Sequence, residues 1–213
     1  HILEGSVRTS GEQLRVTAQL INAEDGFQLW SWEFDGELAD IFVVQDEISR
    51  QVVEGLKLQL GSGSSPEPPR LAKTRNMQAY DEYLVGRYHL ARRTSESILQ
   101  ANKAFRAAIA DDPHYSPAYS ALAITLAVTP YYRGVGSLPE LVAEAKDLAH
   151  QAIGMDTQNS EAYAALGFIS LVFERDWRTA TDSLSNAIDL HPNDAVNANF
   201  YGDLLYTIGN YQQ

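Results

Sequence analysis

The sequence predicts an α+β chain: a short antiparallel β-sheet with one helix, followed by an all-α superhelix of stacked helical hairpins. Three observations predict it. An Ala-x3-large-x2-Ala frame returns in the second half, as Ala101, Phe105, Ala108, then Ala145, Ala149, Ala152, then Ala180, Leu184, Ala187. Small residues recur with it at Gly86, Ala123, Gly167 and Gly202, at spacings of 37, 44 and 35. Recurrence of this kind marks hairpins that bury their apolar faces only by stacking on one another. Near the amino terminus, Leu14, Val16, Ala18 and Leu20 alternate with Arg15, Thr17 and Gln19, the period of a half-buried strand.

Element by element, Ile2 to Arg8 reads as the first strand, and Ser10-Gly11 as a tight turn into the second. Glu24-Asp25-Gly26 turns the chain into a third strand, Phe27 to Phe34. There Phe27, Leu29 and Ser31 share one side, and Gln28, Trp30 and Trp32 the other. Two Trp on the supposedly outer side suggest a sheet covered on both faces. A helix from about Val43 to Leu60 follows, with Ile48, Val52, Leu56 and Leu60 forming its apolar stripe. Gly61 to Pro69 is too polar and Pro-rich to pack and reads as a linker. The expected domains are therefore a sheet-plus-helix module over 1–60, a linker over 61–76 and the repeats over 77–213. The first strand would leave an unpaired edge. Two readings follow, more sheet upstream in a longer protein or pairing with another chain; the first is favoured.

Charge narrows the partners. The chain carries 16 Lys and Arg against 28 Asp and Glu, net −12. Residues 1–60 hold 4 basic and 11 acidic side chains, residues 61–113 hold 8 and 6, and residues 114–213 hold 4 and 11. Neither acidic block suits phosphates or an anionic leaflet, so no nucleic acid and no membrane insertion are expected of this fragment. The longest apolar stretch, Ala121 to Val128, is far short of the roughly 20 residues that span a bilayer. With no cysteine, disulfides and thiolate chemistry are excluded, and either a periplasmic or a cytoplasmic location fits.

From Met77 on, the residues resemble the tetratricopeptide repeat family, whose helix–turn–helix carries W-x2-L-G-x2-Y…A-x3-F…P. The third repeat matches best, with Tyr163, Leu166 and Gly167, then Trp177 before Ala180. The second supplies Tyr119, Leu122 and Ala123; the first keeps Val85-Gly86 but has Glu82 at the aromatic position. The fourth holds Tyr201-Gly202 and stops near Gly209-Asn210-Tyr211. About three and a half repeats are expected, with some ten extra residues between the helices of the second.

The whole arrangement resembles a bacterial family that joins a TolB-like α/β module to such repeats, as in CadC-like or cyclase-linked regulators. Leu3-Glu4-Gly5-Ser6-Val7-Arg8, Leu14 to Leu20, Leu29-Trp30, and Asp40-Ile41-Phe42 before Gln45-Asp46-Glu47-Ile48 carry it. The resemblance implies a non-catalytic interaction scaffold, the sensory or partner-binding fragment of a larger regulator. The alternative is a dimerisation or allosteric relay region of an adenylate cyclase- or kinase-linked protein. No catalytic residue, cofactor or metal is expected. The five His lack metal-ligand spacing, Gly61-Ser-Gly63 lacks the context of a phosphate loop, and no Gly-x-Ser-x-Gly occurs.

In this family the first helix of each hairpin lines the concave face. By that resemblance the partner-binding groove comprises Tyr83, Arg87, Ser120, Ile124, Ala164, Phe168, Asn199 and Asp203. It lacks the Lys, Arg and Asn set of a carboxylate clamp, so an apolar segment of a protein or peptide suits it better than an acidic tail. Filling by the amino-terminal module is the competing reading. The second candidate surface is the inserted loop with Tyr131, Tyr132 and Arg133, residue types frequent at binding hot spots, with local packing as the alternative. Leu204, Leu205, Ile208 and Tyr211 would lie under thin cover, so self-association and a homodimer are also expected.

Overall fold

The computed structural model describes residues 1–37, 43–51, 74–134 and 137–209. Two compact units form, His1–Arg75 and Asn76–Gln213.

The first unit is a three-stranded antiparallel sheet, β1 (Ile2–Ser10), β2 (Gln13–Ile21) and β3 (Gln28–Glu37), in the order β1-β2-β3. Gly11 and Gly26 take positive φ at the two turns, and Asn22 and Asp25 cap the second with side-chain acceptors. Helix α1 covers the sheet over residues 43–51. Val44 is buried against Leu14 and Val16, with Ile48, Trp32 and Phe34 packed around them. The remainder of the expected 43–60 helix, and the 61–69 linker, lie outside the described residues.

Register corrects the expectation for the tryptophans. Trp30 stands opposite Leu20, Trp32 opposite Ala18 and Phe34 opposite Val16. Directly opposed residues share a face, so both Trp lie on the helix-covered side. Trp30 Nε1 donates to Gln51 Oε1 of α1 at 3.1 Å. The other face is polar: Arg15 meets Asp35 at 2.5 and 2.8 Å, and Ser6 bonds Thr17 at 2.9 Å. Phe27 is the residue that misleads. It sits outside the strand, exposed, beside a register shift at Leu20/Ile21. β1 is exposed along its length and pairs only with β2 among the described residues.

The second unit is built of helix pairs. They are α2 (Met77–Arg92) with α3 (Ser95–Asp111), α4 (Ser116–Val128) with α5 (Leu138–Met155), and α6 (Ser160–Ile169) with α7 (Trp177–Leu190); α8 (Ala195–Thr207) follows. Each helix begins at a side chain that accepts orphan amides, except α4, which has Pro117 in its first turn. The pairs close alike: Asp112 N donates to Ala108 O, Asp156 N to Ala152 O and His191 N to Ala187 O, at 2.9 to 3.1 Å. The accepting carbonyls belong to the last Ala of each frame. All nine frame positions are fully buried, so the recurring lattice is the core itself.

The small residues are contact points between paired helices. A Cβ on Gly167 would sit 2.5 Å from Leu184 Cγ, and one on Gly86 would enter the Phe105 ring. Gly202 differs; nothing stands within 4 Å of the position its Cβ would take. Leu204 is fully buried rather than thinly covered, because it packs into the main core, whereas Ile208 is exposed and Tyr211 lies outside the described residues. The expected insertion begins with a 3-10 turn, Thr129–Tyr131, and its residues 135 and 136 lie outside the described residues. Among the described residues no helix is long and apolar enough to cross a membrane. The architecture is thus α+β, an antiparallel sheet with a helix and then a superhelix of tetratricopeptide-type hairpins.

Candidate functional site

First helices of successive pairs pack on one another, α2 on α4, α4 on α6 and α6 on α8, so they make one continuous face. A buried polar network stitches this face together. Asn159, the N-cap of α6, accepts from Ala162 N at 3.1 Å and donates to Ser116 Oγ at 2.7 Å and Ser120 Oγ at 3.2 Å. Ser116 Oγ donates in turn to Ala152 O at 3.0 Å. Ser120 Oγ donates to Glu161 Oε2 at 3.1 Å, and Arg87 Nη1 donates to Glu161 Oε1 at 2.6 Å. The last pair joins α2 to α6, two repeats apart.

Glu161 holds the Arg87 guanidinium above its ordinary range, its charge being the main cause. Burial raises the phenols of Tyr83 and Tyr115, which stay neutral at ordinary pH. Their rings meet edge-on at 5.3 Å. Among the described residues Tyr115 Oη is the buried side-chain atom with no hydrogen-bond partner. Tyr115→Phe removes an unpaired buried hydroxyl and keeps the ring, so it should stabilise the repeats by about 1 kcal/mol in urea unfolding. A loss of similar size would place a bound water on that oxygen.

Beyond the network the face opens into a cavity of about 290 Å³. Leu90, Ile98, Ile124, Val128, Val196 and Phe200 supply apolar lining, while Arg87, Arg93, Glu161 and Tyr132 stand around it. Beside the cavity lies an aromatic ledge. Phe200 stacks on Phe168 with ring centroids 4.4 Å apart, Phe173 meets Phe168 edge-on at 6.3 Å, and Tyr131 reaches Phe168 at 6.2 Å. Tyr131 remains 61% exposed. Its phenol is raised, first by partial burial and then by nearby Asp203.

The structure therefore sorts the expected groove residues. Arg87 and Ile124 line the cavity, Phe168 forms the ledge, and Asp203 and Asn199 are exposed on α8. Tyr83 is turned largely inward against Phe105 and Tyr115. Ser120 and Ala164 are fully buried and touch no solvent, because the seam between first helices closes over them. Tyr132 of the inserted loop lines the cavity, and Arg133 is exposed. Leu90, Val128, Val196 and Phe200 were missed, although each of the four is about one helical turn from a residue already singled out. A second depression, of about 430 Å³, lies over the sheet, where Ser6 pairs with Thr17 and Gln19 with Glu4. No group of three or more His, Asp or Glu suited to a metal occurs among the described residues.

No family model matches the chain. It is 30% identical over 188 residues to a protein of Rhizobium meliloti (strain 1021) named "Putative adenylate cyclase 3". That stretch is 88% of this chain and 31% of the relative, so the chain spans about a third of the relative's length. Among solved structures it is similar to the TPR2B domain of yeast Sti1 in complex with pHsp70 (19% identity, TM-score 0.48, 64% of this chain and 99% of that one). It is also similar to the TPR domain of Arabidopsis OM64 (16% identity, TM-score 0.46, 61% and 96%). The repeat architecture rests on the chain's own helix pairs, not on these likenesses.

Proposed function

We propose that the chain is a non-catalytic protein–protein interaction scaffold, the partner-binding fragment of a larger bacterial regulatory protein. Its concave repeat face receives an apolar segment of another protein. One observation carries the reading: the first helices converge on an apolar cavity edged by Tyr132 and Phe200, with its charges gathered around it. Such a cavity accepts one or two large side chains as anchors, and polar groups around them fix orientation. Residues 1–60 are the separate sheet module, joined to this scaffold through 61–76.

Leucine-bearing helical peptides test this on the full chain. Leu90→Gln places an amide against the half-buried cavity wall and should weaken their binding about tenfold. The same change should lower the melting temperature by only a few degrees. No binding by wild type at millimolar peptide would remove the reading. The similarity to a protein named as an adenylate cyclase supports a second reading, dimerisation or allosteric relay to an enzyme elsewhere in a longer chain. Sedimentation distinguishes them: relay requires self-association of the fragment without peptide.

A further inference from the structure

We infer that Tyr131 of the aromatic ledge and Asp203 of α8, at the α8 end of the groove, form a subsite for an arginine or lysine side chain, so that the partner is a protein segment combining an apolar anchor with an adjacent basic residue. This rests on the groove reading and specifies its ligand.

Three features point to a cation. Tyr131 offers an exposed ring, held in place by its contact with Phe168, and ring faces attract cations. Asp203 is exposed on α8 one turn beyond Phe200, whose ring stacks on the Phe168 that Tyr131 touches, and its carboxylate has no ion-pair partner among the described residues. The loop's own Arg133 is not paired with it. The stretch of chain that carries both has the same sign: residues 114–213 hold 4 basic side chains against 11 acidic ones. An attractive field of this kind speeds encounter with a basic segment.

The position relative to the cavity is fixed by α8. Phe200 is shared, lining the cavity and stacking on Phe168, and Asp203 follows it by three residues, nearly one helical turn. An apolar anchor over Phe200 therefore leaves a neighbouring basic side chain within reach of Asp203. The opposite side of the cavity differs. There Arg87 is already committed to Glu161, and Arg93 is a second positive group. A segment binding with its cation toward α2 would meet repulsion, so the charge pattern also sets direction.

Three labelled peptides that share the same leucines but carry arginine, glutamine or glutamate between them serve as probes in fluorescence anisotropy. The full chain should prefer the arginine peptide over the glutamine one by about fivefold, with the glutamate peptide weakest. Asp203→Asn and Tyr131→Ala should each erase most of that preference, and added salt should shrink it. Equal binding of all three, still weakened by Leu90→Gln, would overturn the cation subsite and leave the groove standing. A glutamate preference would also overturn it. Failure of all three to bind would remove the groove and the subsite together.

Discussion

Phe105→Ala should cost the repeats about 3–5 kcal/mol, the usual range for emptying a fully buried aromatic site. Phe105 fills the contact between α2 and α3: its ring lies against Gly86, and Tyr83 leans on it at 5.8 Å. Stacked hairpins depend on their neighbours, so the loss should appear first as local opening of α2. Hydrogen exchange should show α2 amides losing protection well before those of α6 and α7. The glycine provides the sharper check. Gly86→Ala in the native background drives a methyl into the ring and should destabilise despite the better helix propensity of Ala. With Phe105 already reduced to Ala, the same substitution meets no ring and should stabilise by up to about 1 kcal/mol. Additive behaviour of the pair would mean that the ring does not depend on the glycine. An uncoupled cycle would undo the account of why small residues recur.

That lattice was legible because it is local: a frame of Ala, large and Ala within one helix, and a glycine in the helix before it. The register of the sheet was less so. Strand period alone separates Trp30 and Trp32 from Leu29, but deciding which side faces inward needs a fixed point. Phe27 offered a false one, since a large apolar residue next to a turn need not belong to the strand. Of the expected groove residues, Arg87 and Ile124 line the cavity, each on a first helix, and Asp203 is exposed on α8. Ser120 and Ala164 sit on the seam between neighbouring first helices, and a helical wheel drawn for one helix does not contain that seam. The Arg87–Glu161 pair spans 74 residues and depends on the curvature of the whole stack. No local signal announces it.

Asn159→Ala should be the largest polar loss, about 2–3 kcal/mol. Removing an N-cap alone costs about 1 kcal/mol, the effect expected at an exposed cap such as Asp176. Asn159 does more, because its amide also donates to Ser116 and Ser120 in the buried seam. Truncation leaves Ala162 N with only its 3.2 Å bond to Asn159 O and leaves two serine oxygens without that donor, a penalty added to the lost cap. The near-isosteric Asn159→Asp separates the two roles. An Asp still caps the helix, and a negative charge suits an N-terminus. It also turns an acceptor toward the serine oxygens, and Ser116 can answer only by giving up its bond to Ala152 O. The carboxylate would further share the first turn with Glu161. Asn159→Asp should therefore remain destabilising by at least about 1 kcal/mol, whereas Asp176→Asn at the exposed cap should be close to neutral. Because Asn159, Ser116 and Ala152 belong to three different helices, their bonds couple adjacent repeats, and the variant should broaden the urea transition as well as shift it. A sharp transition with Asn159→Asp at wild-type stability would reduce Asn159 to an ordinary cap.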